Sequence, residues 1–128
     1  MSEPLWMELA DALAIHEKML ALFGGLPGLR DAGLLESALA RPQQLFHYAH
    51  PTLPELAAAY AAGVVRNHPF LDGNKRTGFV LAAAFLEINR GEFGASEVEV
   101  VERTLALAAR AIEEADYAAW LTANTRHL

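Results

Sequence analysis

Residues 56 to 65 read LAAAYAAGVV. The string just ahead of them, TLPE at 52 to 55, has the form of a capping box, in which the Thr52 hydroxyl accepts from the Glu55 amide while Glu55 reaches back. A helix is thus predicted from this cap through Arg66. Apart from Tyr60 its interior carries little polar surface, and a helix that is apolar all round has to be surrounded by other helices. This one segment commits the chain to an all-α bundle built around it.

The remaining elements follow from spacing and punctuation. Ser2 is positioned to cap a helix whose inward positions Leu5, Leu9, Ala12, Ile15 or His16, and Met19 recur at three- and four-residue steps up to Phe23, where Gly24-Gly25 stops it. GGLPGLRDAG reads as a loop, and LLESALARP as a short helix ended at Arg41-Pro42, with a second short helix starting at Pro42. A helix from Lys75 to about Asn89 is expected to end at Gly91 in the left-handed conformation. The string SEVE at 96 to 99 is a further capping box. It opens a helix with Val98, Val101, Leu105, Ala108 and Ile112 on one face and an outward Glu99–Arg103 pair. Asp116 is placed to cap a last short helix through Trp120. No strand alternation and no internal repeat is evident, so about six to eight helices are expected.

The chain has 128 residues, the size of one domain, read here as residues 1–128. Hydrophobic residues make up 53% and charged residues 20%, far from a disordered composition. A formal net charge of -6 gives no general attraction to nucleic acid, so no direct nucleic-acid partner is expected and any phosphate site must be local. With no cysteine, disulfides, thiolate zinc sites and a cysteine nucleophile are excluded. The N-terminal stretch has early acids and no basic region ahead of an apolar one, and the apolar run at 78 to 86 falls short of the roughly 20 residues that span a bilayer. A cytoplasmic protein without membrane contact is the expectation.

Chemistry concentrates in HPFLDGNKRTG, residues 68 to 78. Gly73 permits a turn of unusual φ, and a helix opening after Asn74 aims free N–H groups at one spot, a ready anion site. Lys75 and Arg76 add positive charge there, and Arg66 either adds more or serves as an ordinary cation at its own helix C-terminus. Asp72 is a hard oxygen ligand, suited to Mg²⁺ shared with phosphate oxygens. His68 is the nearby group that titrates near neutrality, hence the candidate base for an incoming hydroxyl. Phe70 and Pro69 anchor the loop, and Thr77 is read as a backbone-bonded helix residue without a catalytic role. His47 and His50 lack a third ligand and are read as a surface pair. Trp6 and Trp120 are read as core or interface residues, and His16 and His127 carry no signal.

These residues resemble the Fic/Doc family, whose Fic motif is HxFx[D/E]GNGRxxR and whose Doc branch carries HxFx[D/N]xNKR. The segment GGLPGLRDAGLLESALARP is also similar to Doc-type proteins. The resemblance implies a Fic-fold helical bundle in which His68 deprotonates the target hydroxyl, Asp72 holds Mg²⁺, Gly73 and Asn74 line the anion hole, and Lys75 and Arg76 hold the phosphates of ATP. Lys75 stands where Fic proteins have a second glycine and Phe79 where they have a second arginine, both as in Doc. What that branch implies is a toxin that phosphorylates a threonine of elongation factor Tu and is held off by a separate Phd-like antitoxin. AMP transfer, which Gly73 favours, and a catalytically silent binding domain are the alternatives. The inhibitory string [S/T]xxxE[G/N] of many Fic proteins is absent.

Overall fold

Thr52 and Glu55 form the reciprocal cap that their spacing specifies: Glu55 N–H donates to Thr52 Oγ1 at 3.2 Å and Thr52 N–H to Glu55 Oε1 at 2.7 Å. In the computed structural model, which describes residues 2–128, this cap opens the central helix of an assembly of six helices and one two-stranded sheet. The order is α1 (Leu9–Phe23), α2 (Ala32–Ala49), α3 (Leu53–Asn67), α4 (Asn74–Ile88), β1 (Gly91–Phe93), α5 (Glu97–Ala108), α6 (Glu114–Ala123) and β2 (Thr125–His127).

Every residue of α3 from Leu56 to Val65 is buried, and α2, α4, α5 and α6 all pack against it. Small residues set the distance of approach. A Cβ on Gly63 would lie 2.9 Å from Ala38 Cβ, and one on Gly78 would lie 2.7 Å from Val65 Cγ1. The neighbouring helices α2 and α4 therefore touch α3 nearly backbone to backbone. Leu35, Leu56, Tyr60, Leu81 and Phe85 fill the core around it, each wholly buried.

Several expectations are corrected. Helix α1 starts at Leu9, with Glu8 and Asp11 as its cap, and not at Ser2. Tertiary partners hold the preceding residues out of a helix: Met7 N–H donates to Tyr60 Oη at 3.0 Å, and the Asn89 side chain bonds both main-chain groups of Leu5. The two short helices expected around Pro42 are one, α2. Pro42 is buried within it, and the packing of Leu35, Ala38 and Leu39 outweighs the single helical bond that proline removes. At the end of α4 the left-handed residue is Arg90, φ +69°, while Gly91 begins a strand.

That strand pairs antiparallel with β2, Glu92 opposite Arg126, so a small sheet exists after all. Three-residue strands are too short for alternation to register. Helix α5 is rotated relative to expectation: Val98, Val101 and Leu105 are exposed, and Thr104 and Leu107 face inward. The Thr104 hydroxyl meets Tyr117 Oη at 2.9 Å, which holds that rotation. Glu99, expected to pair outward with Arg103, accepts from Trp120 Nε1 at 2.7 Å. Ser96 still caps α5, whereas α6 is capped by Glu113, with Asp116 as the reciprocal partner. Among the described residues no helix is long and apolar enough to cross a membrane.

Candidate active site

Helix α3 ends where His68 turns left-handed, φ +52° and ψ +58°, with its N–H on the Val64 carbonyl at 3.1 Å. A non-glycine residue there needs support. Arg30 provides it, donating Nε to the His68 carbonyl and a terminal nitrogen to the Asn67 carbonyl, each at 2.6 Å. A cation on the last carbonyls of a helix is favourable both as a cap and against the helix dipole. The same segment runs antiparallel to the loop: the N–H groups of Arg30 and Asp31 reach the Pro69 carbonyl, and Leu71 N–H reaches Gly28.

Phe70 is the buried anchor, 1% exposed. Its ring stacks on His16 with centroids 3.8 Å apart. Asn74 clasps its main chain, accepting from Phe70 N–H and donating to the Phe70 carbonyl, both at 3.0 Å. The Asn74 side chain thus closes the loop, which leaves its main-chain N–H as the group it can offer to an anion. Asn74 Nδ2 also lies 3.5 Å from His68 Nδ1. A contact that long leaves the exposed imidazole free in its choice of tautomer.

Gly73, at φ +77°, precedes α4 without a side-chain cap, and the first helical bond is Thr77 N–H to the Gly73 carbonyl. Among the described residues the N–H groups of Asn74, Lys75 and Arg76 find no acceptor. Three free donors, two exposed cations and a helix N-terminus converge here. Asp72 borders them with an exposed carboxylate, Oδ1 accepting from Gly73 N–H at 2.9 Å and Oδ2 from Leu26 N–H at 3.2 Å.

These residues form one end of a cleft of about 510 Å³ whose other walls include Met19, Phe23, Phe79, Val101 and Leu105. That volume lies within the range of small-molecule sites. Arg76 also lines the cleft, its guanidinium carbon 4.3 Å from the Phe23 ring centroid. Phe79 belongs to an aromatic group with Phe93 and Trp120. No cation stands at its position.

The structure therefore brings Asp72, Gly73, Asn74, Lys75 and Arg76 together, with His68 adjoining through Asn74. Arg66 is separate from them. Its guanidinium reaches the carbonyls of Leu107 and Ile112 at 3.3 and 3.2 Å, joining α3 to the turn after α5. The Thr77 hydroxyl, expected to bond the backbone, is buried with no partner. Two supporting residues lacked a readable signal, Arg30 in a glycine-rich loop and His16 in a helix. His47 and His50 join no cluster of three or more metal-ligating side chains among the described residues.

A model of the Fic/DOC family matches residues 6–86, which include α1, α2, α3, nearly all of α4 and the whole loop. Over 69 residues the chain is 48% identical to a protein named Toxin Doc from Mycolicibacterium smegmatis, covering 52% of this chain and 53% of that one. Over 80 residues it is 38% identical to Protein kinase doc of Escherichia phage P1, covering 62% and 64%. The chain thus spans between about half and two thirds of the length of these relatives.

Proposed function

Since this chain belongs to the Fic/DOC family, we propose that it is a Doc-type toxin that transfers the γ-phosphoryl group of ATP to a hydroxyl of a protein target in the cytoplasm. The observation that carries this reading is the open N-terminus of α4, with three free N–H groups between the cations Lys75 and Arg76 and the carboxylate of Asp72, at the end of a nucleotide-sized cleft.

In this mechanism the cradle and the two cations hold the phosphates and offset charge as it shifts during transfer. His68 removes the proton of the acceptor hydroxyl. The freed oxygen attacks the γ-phosphorus, the bond from phosphorus to the β–γ bridging oxygen breaks, and ADP leaves with that electron pair. Asp72 fits the part of Mg²⁺ ligand, because a lone exposed carboxylate beside a phosphate site suits an ion that keeps most of its shell as water and phosphate oxygens. When bound, the ion would add positive charge at the phosphates.

Lys75 and Phe79 favour phosphoryl over AMP transfer, since a lysine side chain takes up room at the cradle and no second arginine is available to a terminal phosphate. Gly73 is the observation that favours AMP transfer. The proposed target is elongation factor Tu, modified on a threonine hydroxyl. The proposed inhibitor is a Phd-like antitoxin laid on the exposed apolar row of Val98, Val101 and Leu105 beside the cleft.

Parallel assays with α- and γ-labelled ATP on bacterial lysate, parent against His68→Ala, test the reading. Label from γ alone, lost in the variant, is expected. Label from α establishes AMP transfer in its place, and equal toxicity of parent and His68→Ala on expression means binding without chemistry.

A further inference from the structure

We infer that His16, which lies in α1 and outside the loop motif, is a positioning residue that aims the phosphate cradle. The inference rests on the reading of the α4 N-terminus as a phosphate site.

His16 is 5% exposed. Its ring lies nearly parallel to Phe70, 9° between planes, and its Nε2 is 2.9 Å from the main-chain carbonyl of Asp72. A carbonyl oxygen can only accept, so Nε2 carries the hydrogen and the contact is a directed N–H···O bond. The carbonyl of Asp72 and the N–H of Gly73 belong to one planar trans peptide and point in opposite directions. Drawing the carbonyl inward onto His16 therefore turns the Gly73 N–H outward, where Asp72 Oδ1 accepts it. The position a Cβ on Gly73 would take is 3.7 Å from His16 Nε2, so the imidazole also underlies the left-handed turn that starts α4. His16 thus sets the orientation of one peptide unit, and through it both the Asp72 side chain and the direction of the free N–H groups that follow.

Two functions of the ring separate by substitution. His16→Phe keeps the flat ring against Phe70 and removes the donor. His16→Gln keeps an N–H donor and removes the stack. The experiment measures pyrophosphate affinity by calorimetry for the full chain and both variants, with thermal melting alongside. Expected for His16→Phe is binding weakened on the order of tenfold with melting within a few degrees of the parent, because a small misorientation of several donors acts on all of them together. His16→Gln should stay within about threefold of parental affinity even where its melting temperature falls, since the directed bond is retained.

Parental affinity in His16→Phe overturns the inference, as does affinity that follows melting temperature instead of the donor. Should His16→Phe not fold, His16→Gln decides alone: a folded glutamine variant weakened as much as tenfold overturns it. A parent that binds no pyrophosphate removes the cradle on which the inference rests. A parent that binds it but moves no label from ATP leaves the inference standing and overturns only the phosphotransfer reading.

Discussion

The carboxylate of Asp72 occupies the space in which Gly25 would carry a side chain: a Cβ there would lie 2.9 Å from Asp72 Oδ2, on a backbone with φ +123°. Gly25→Ala therefore meets both strain, on the order of 1–3 kcal/mol, and a displaced carboxylate. The expected outcome is a lower melting temperature together with a loss of transfer larger than the loss of folded protein explains. Melting curves and single-turnover rates on the same preparation check it.

Arg30 bridges the carbonyls of Asn67 and His68 without lining the cleft. Arg30→Ala frees His68 to leave its left-handed conformation, so kcat should fall about tenfold or more while KM for ATP changes little. Arg30→Lys should recover only part of the rate, because an ammonium group lacks the planar fork that addresses two acceptors at fixed geometry. Steady-state kinetics of the three proteins decide this.

The approach of Gly63 to Ala38 leaves no room for a methyl group, since Ala38 Cα also lies 3.1 Å from the Cβ position. Gly63→Ala should destabilise the fold by about 1–3 kcal/mol despite its better helix propensity. Adding Ala38→Gly should restore part of that loss. Urea unfolding of the single and double variants measures both.

Burial pushes the phenols of Tyr60 and Tyr117 up to about 12 from an ordinary value of 10.0. Unfolded chains then release these protons before folded ones do. The stabilisation is complete below pH 10 and is lost as pH rises from about 10 to 12, levelling off above both values. Denaturation midpoints should be flat with respect to these groups up to pH 10 and fall beyond it. Tyr117→Phe should reduce the alkaline fall, and should lower stability at neutral pH by about 1–2 kcal/mol by leaving the Thr104 hydroxyl without its partner.

The central helix and the loop were legible because each is encoded locally. Thr52 and Glu55 cap their own helix, ten consecutive residues without a charge demand burial, and the reactive residues from His68 to Arg76 are neighbours in the chain. Errors arose where the deciding partner is distant in sequence. Leu5 and Met7 are held by Asn89 and Tyr60, and no periodicity within the first helix reveals that. The apolar row from Val98 to Ile112 reads as one inward face, yet Thr104 turns inward to meet Tyr117, so Val98, Val101 and Leu105 stay outside and only Ala108 and Ile112 pack on the core. Arg66 looks like a member of the site by proximity along the chain, but it bonds carbonyls at Leu107 and Ile112. His16 is a related case: it is 56 residues from the carbonyl it holds.

None of the side chains from 24 to 31 is buried, although this segment borders the loop from Asp72 to His68. Its attachment consists of main-chain bonds to Pro69 and Leu71, the Leu26 bond to Asp72 and the grip of Arg30. Water can replace every one of these bonds, and the apolar side chains the segment itself contributes, Leu26 and Leu29, are already largely or partly in solvent. Opening this flank therefore has a low energetic barrier compared with any movement of α3 or α4, whose residues interlock. Amide hydrogens there should exchange ahead of those in the helices. When this glycine-rich strap yields, the hold of Arg30 on His68 and that of Leu26 on Asp72 yield with it, so its looseness is passed to the two side chains it positions.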